Sequence, residues 1–124
     1  MPEATFDLSG RTAIVTGAAR GVGLALSRRF AGAGATVFMV DRDADELAAA
    51  AAEAGGTAVA ADVTSTEQVD AAVAQAVEAT GRVDVLVNNA GLLRDKMLWK
   101  IADEDWAAVV GVSLDGTFRF TRAC

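Results

Sequence analysis

Short apolar runs alternate with longer stretches of helical periodicity along the chain. Arg11 to Val15, Thr36 to Val40, Thr57 to Ala61 and Val83 to Val87 have strand length and β-branched character. The second is apolar throughout, as a strand covered on both faces should be. Between them lie helical patterns. Val22, Leu26, Phe30 and Ala33 recur at helical spacing, which predicts a first helix that buries this face and exposes Arg28 and Arg29. Gly32 and Gly34 end it. Asp43 or Asp45 can cap a second helix running to about Ala54, and Gly55-Gly56 stops it. The alanine run inside it favours helix over disorder. Thr64-Ser65-Thr66-Glu67 has capping-box form, and Val69, Val73, Ala76 and Val77 give a third helix its buried stripe up to Gly81. Asp103-Glu104-Asp105 suits a helix start. Trp106, Val110, Ser113, Thr117 and Phe120 then fall on one face of a helix running to the chain end.

The order βαβαβαβα predicts an α/β fold with a doubly wound parallel sheet and helices on both faces. In such sheets ligands bind beyond the strand C-termini, near the point where strand order reverses. Four polar features each follow one of the four strands, so all should open on one edge. They are the glycine loop after Val15, Asp41, Asp62, and Asn88 to Gly91.

At 124 residues the chain is one domain, 1–124, with one layered core. Met1 to Gly10 reads as a lead-in with neither a basic nor an apolar leader segment. No apolar run approaches the length of a membrane span. A single cysteine, Cys124, fits a reducing compartment, so a cytoplasmic setting is expected. The net charge of −6 argues against nucleic acid or an anionic membrane as partner, since both are polyanions. The chain contains no His and no Tyr, which removes the commonest general acid–base residue, the phenol donor and His-based metal sites. No metal site is expected.

The stretch Thr16-Gly17-Ala18-Ala19-Arg20-Gly21-Val22-Gly23 sits between a strand and a helix. That context turns a loose glycine pattern, which alone is open to the reading of an ordinary glycine-rich turn, into a candidate nucleotide site. A pyrophosphate must approach bare backbone N–H groups, and the dipole of the following helix supplies attraction. Gly23 lies one step inside that helix, where a missing Cβ allows close packing on the strand. Asp41 falls 18 positions after Gly23, near the roughly 20 expected for an acid that reads a ribose. A carboxylate there accepts from both adenosine ribose hydroxyls and repels a 2′-phosphate, which favours NAD(H). Arg20 and Arg42 leave NADP(H) open, because guanidinium groups recognise phosphate well. Asp62-Val63 can meet an adenine, although a helix-start acid explains Asp62 alone. Asn88-Asn89 is open to the ordinary reading of Asn in a turn.

Together these residues resemble the short-chain dehydrogenase/reductase family. The matching pieces are Thr16 to Gly23, Asp41, Asp62-Val63, Asn88-Asn89-Ala90-Gly91 and the helix opening Asp103-Glu104-Asp105-Trp106. Gly91-Leu92-Leu93-Arg94-Asp95 is most similar to 3-oxoacyl-acyl-carrier-protein reductases and acetoacetyl-CoA reductases. The resemblance implies a Rossmann-type fold and hydride transfer between a nicotinamide dinucleotide and a ketone or secondary alcohol, with an acyl thioester as one substrate class. It implies that Gly17, Ala18, Ala19, Arg20, Gly21, Val22 and Gly23 hold the pyrophosphate. Asp41 and Arg42 would meet the adenosine ribose, Asp62 and Val63 the adenine, and Asn89, Ala90 and Gly91 the nicotinamide-side ribose. Asn88 would tie strands together. It further implies a homo-oligomer paired through the helix near Asp103.

Two departures stand out. The family's supporting Asn in the long helix falls at Ser113, which is a candidate catalytic group or simply a small packing residue. The catalytic Ser, Tyr and Lys would lie beyond Cys124, so the chain is expected to be the cofactor-binding half of a longer enzyme, inactive alone. A non-catalytic dinucleotide-binding module complete at Cys124 is the alternative. A methyl-donor enzyme on a similar fold leaves Asn88 to Gly91 without a role.

Overall fold

Side chains alternate across the first strand, β1 (Thr12–Thr16), and this alternation divides the core in two. The computed structural model describes residues 5–124; residues 1–4 of the expected lead-in lie outside them. Within the described residues β2 (Thr36–Asp41), β3 (Thr57–Ala60) and β4 (Val85–Val87) join β1 in one parallel sheet of order β3-β2-β1-β4. Ile14, Phe38 and Val40 face one side of the sheet, against Val69, Val73, Ala76 and Phe120. Ala13, Val15, Val37 and Met39 face the other, against Leu47, Ala50 and Ala51. The helices α1 (Gly21–Gly32) and α2 (Ala44–Ala54) therefore cover one face, while α3 (Thr66–Thr80) and α5 (Gly116–Ala123) cover the other.

The expected alternation of strands and helices is present, with local shifts that have identifiable causes. The expected stripe of α1, Val22, Leu26, Phe30 and Ala33, holds only in part: Phe30 packs against the core, but the fully buried positions are others. Val22 is 66% exposed, whereas Gly23 and Ser27 are buried. A Cβ on Gly23 would lie 2.2 Å from the Gly17 carbonyl oxygen, so the helix turns its smallest residues toward the loop. Ser27 adapts to that close face by donating from Oγ to the Gly23 carbonyl at 2.8 Å.

Asp43, one of the two expected caps, accepts from the Glu46 amide at the start of α2. In α3 the cap is Ser65, one residue later than the expected box, and it accepts from Gln68 N at 3.3 Å. The Gln68 side chain reaches back to accept from Asp62 N at 2.9 Å, three residues before the cap. The buried stripe is Val69, Ala72, Val73 and Ala76, and Val77 is exposed.

The last helical region is not one continuous α-helix. α4 (Asp103–Val109) passes into a π-helical segment, Val110–Asp115, before α5. A π turn holds an extra residue and resets the phase of the buried face. The expected stripe therefore breaks: Trp106 is 64% exposed, while Gly116 and Phe120 are buried. Among the described residues no helix is long and apolar enough to cross a membrane.

Candidate functional site

The polar strand ends do gather. Residues from all four line a single cavity of about 320 Å³: Gly17 and Arg20 after β1, Asp41 and Arg42 at β2, Asp62 and Val63 after β3, and Asn89 to Leu92 after β4. The position follows from topology. β1 has β2 on one side and β4 on the other; the chain steps outward from β1 through β2 to β3 and then crosses back to β4, so strand order reverses at β1 and a crevice opens above it.

The glycine loop is built for close approach. Gly17 has φ +63, and a Cβ there would lie 2.9 Å from Asn89 Nδ2 and 3.0 Å from Ala90 Cα. Gly21 differs: nothing lies within 4 Å of the Cβ it lacks, so the space beside it is open. Not every amide in the loop is bare. Ala18 N donates to the Val40 carbonyl at 3.1 Å, and Ala19 N donates to Asp41 Oδ2 at 3.2 Å. Both alanines are buried and anchor the loop on β2. The start of α1 has no side-chain cap, in contrast to α2 and α3. Its first amides, from Gly21 to Gly23, are the donors that suit an anion.

Asp41 is held from two sides. Besides Ala19 N, it accepts from Asp43 N at 3.3 Å. An ionised carboxylate has about four acceptor sites, so each oxygen retains capacity for a hydroxyl donor. Asp62 is more committed. Its Oδ1 accepts from the Thr64 hydroxyl at 2.7 Å and the Thr64 amide at 2.9 Å. These bonds hold the Asp62 carboxyl below its usual pKa, and Arg42 and Arg119 add to the effect. Oδ2 is the oxygen left to face a ligand. Arg20 Nη1 sits 3.7 Å from Glu46 Oε2.

The loop after β4 is stitched to β1. Thr16 Oγ1 accepts from Asn89 N at 3.0 Å and Ala90 N at 2.9 Å. Asn89 Nδ2 donates to the Thr16 and Gly17 carbonyls at 3.1 and 3.2 Å. The tie between strand ends thus comes from Asn89. Asn88 instead donates to Thr121 Oγ1 on α5, at 3.3 Å. Ser113 lies in the π segment, and its Oγ accepts from Leu92 N at 3.4 Å. Gly91 sits beside it: a Cβ there would be 3.9 Å from Ser113 Oγ.

Two positioning residues were invisible in the sequence. Gly116 lets α5 approach Val63, since a Cβ there would lie 2.8 Å from Val63 Cγ2. Arg119 donates to the Val63 carbonyl at 3.3 Å and to Thr66 Oγ1 at 3.1 Å. The α5 helix therefore sets the end of β3 in place. Only the helical phase after the π segment brings Gly116 and Arg119 there, and helical periodicity alone gives no warning of that segment.

A glycine loop over β1, a strand-end acid and a second crossing loop above a parallel sheet define a Rossmann-type nucleotide fold. Residues 11–124 match the short chain dehydrogenase family, and the chain belongs to it. The chain is 47% identical, over 95% of its length and 40% of the relative's, to a hydroxyacyl-CoA dehydrogenase of Mycobacterium tuberculosis. It is 41% identical to a 3-oxoacyl-[acyl-carrier-protein] reductase of Thermotoga maritima, covering 93% of the chain and 49% of the relative. Among solved structures, a 3-ketoacyl-(acyl-carrier-protein) reductase from Brucella melitensis complexed with NADH superposes with a TM-score of 0.89 at 39% identity. That match covers 94% of this chain and 49% of the other. The chain spans about half the length of the curated relatives it matches. The family is one of oxidoreductases and includes 3-ketoacyl-acyl-carrier-protein reductases.

Proposed function

We propose that this chain is the cofactor-binding part of a cytoplasmic oxidoreductase that interconverts a ketone and a secondary alcohol, with a 3-oxoacyl thioester as the substrate class. The observation that carries the reading is the convergence of all four strand ends on one cavity. Residues 1–124 form the N-terminal, dinucleotide-binding part of a longer single-domain enzyme. The coverage of about half of each relative supports this. Pairing of copies through the helix that starts at Asp103 is supported by the exposure of Trp106 and Leu114, each 64%.

The residues fit a nicotinamide dinucleotide. The open space beside Gly21 admits a pyrophosphate to the uncapped start of α1, while the missing Cβ of Gly17 lets the Asn89–Ala90 backbone close against the loop. Asp41 offers its remaining acceptor sites to the adenosine ribose hydroxyls and opposes a 2′-phosphate, so NAD(H) binds in preference to NADP(H). Asp62 and Val63 flank the adenine, with Arg119 and Gly116 holding that corner. Asn89, Ala90 and Gly91 meet the nicotinamide-side ribose on a loop fixed by Thr16. The bound nicotinamide supplies the hydride at its C4. Ser113 acts on the Leu92 amide, and so positions this loop.

The test is titration with NADH in a calorimeter. Gly21→Val puts a side chain into open space, where the cost to the fold is the backbone strain of about 1–2 kcal/mol at positive φ. It is expected to weaken NADH binding at least about tenfold with the far-UV circular dichroism unchanged. Unchanged affinity in this variant overturns the site. The rival reading is a module that binds the dinucleotide without reacting. An in-frame Tyr-x-x-x-Lys segment after Cys124 in the coding sequence decides for the enzyme, and turnover by the 124 residues alone overturns their expected inactivity.

A further inference from the structure

Two cations, Arg20 and Arg42, line the cavity beside Asp41. Either could offset the repulsion between Asp41 and a 2′-phosphate. Arg42 acts electrostatically on Asp62. Arg20, however, has a carboxylate of its own. Arg20 faces Glu46, with Nη1 3.7 Å from Oε2. Glu46 is well placed for this. It lies in the first turn of α2, its backbone N–H is bound by the Asp43 cap at 3.1 Å, and α2 packs beside α1. Arg20 is 74% exposed and Glu46 37%, so the pair sits at the cavity mouth, where a guanidinium is otherwise free to swing toward an incoming anion. Nothing in the spacing of sequence motifs marks Glu46, which lies five residues past the ribose-reading acid on another element.

The geometry points to Glu46 as a specificity-determining residue that acts through Arg20: it engages the guanidinium and withholds it from a 2′-phosphate. Resting on the dinucleotide reading above, this adds a second carboxylate to the discrimination. Asp41 opposes the phosphate directly, and Glu46 occupies the cation that would welcome it. An exposed ion pair carries a small free energy, so the effect is a bias in cofactor choice rather than an absolute filter.

The experiment compares NADH and NADPH dissociation constants in the wild type, Glu46→Gln, Arg20→Gln and the double variant, with Glu53→Gln as control. Glu53 makes an ion pair with Arg28 across the same two helices but away from the cavity. Glu46→Gln is expected to tighten NADPH binding about twofold to fivefold relative to NADH. The same substitution in the Arg20→Gln background is expected to leave the ratio nearly unmoved, because the intermediary is gone. Glu53→Gln should leave it at the wild-type value. An unchanged ratio in Glu46→Gln overturns the inference, as does an equal shift without Arg20 or an equal shift in Glu53→Gln. Wild-type protein that binds neither dinucleotide overturns the cofactor reading itself, a result distinct from binding with an unmoved ratio.

Discussion

Thr16 shows how much of this site one hydroxyl organises. It is buried at the end of β1, and its Oγ1 accepts from two successive amides of the Asn88–Leu92 loop while lying 3.4 Å from the Val87 carbonyl. Removing the oxygen while keeping the shape leaves the Ala90 amide without its acceptor, whereas the Asn89 amide keeps a second one, the Val87 carbonyl at 3.0 Å. Such a loss costs on the order of 1–3 kcal/mol. Thr16→Val is therefore expected to lower stability by about 1–3 kcal/mol in urea unfolding, while Thr16→Ser stays within about 1 kcal/mol of the wild type. A larger loss in Thr16→Ser than in Thr16→Val would show that the methyl, not the hydroxyl, matters. The sequence places Thr16 at the mouth of the glycine loop, but its bonds join residues more than 70 positions apart, and only the pairing of β1 with β4 brings them together.

At the scale of elements, strands were more legible than helix faces. Each of the four expected strands is present, with ends that differ by one or two residues. Strand faces follow a rigid period of two, so a strand set between two covering layers leaves little freedom. Helices rotate about their axes to satisfy close contacts, and they did so here. Gly23 turned α1, and the π segment turned α5 relative to α4. The two ends of the last helical region should then respond differently to truncation. Phe120→Ala removes a fully buried ring and is expected to cost about 3–5 kcal/mol. Trp106→Ala, at a largely exposed position, should change stability by less than about 0.5 kcal/mol. A continuous α-helix with the expected stripe would make the two losses similar, and denaturant titration of both variants distinguishes the cases.

At the scale of the whole molecule, the sheet has β4 at one edge, held by a small number of groups. Asp84 is central among them. Its amide donates to the Thr12 carbonyl at 2.8 Å, and its Oδ2 accepts from Thr12 N at 2.8 Å. Arg82 and Arg11 bind the same carboxylate. The Thr12 amide, followed by Arg82, holds the Asp84 carboxyl below its usual pKa. A carboxylate with a depressed folded pKa stabilises the fold above the unfolded value of about 3.9, and that contribution fades as pH falls through the folded pKa. Urea midpoints are expected to hold steady down to about pH 4 and then fall. Asp84→Asn should lower the midpoint near neutral pH and flatten that part of the acid profile; a profile as steep as the wild type's would assign the acid sensitivity elsewhere.

The sequence by itself determined the order of strands and helices, the four polar strand ends and the family resemblance. Those depend on local periods and on residue types at fixed chain distances, which need no knowledge of packing. Tertiary structure decided which amides of the glycine loop remain open, that Asn89 and not Asn88 joins the strand ends, and that Glu46 meets Arg20. It also decided the phase of the last helix, and with it the approach of Gly116 and Arg119 to Val63. Each of these is a contact between elements. Its existence depends on helix rotation and strand adjacency, which are settled when the layers pack and the closest backbone contacts are satisfied.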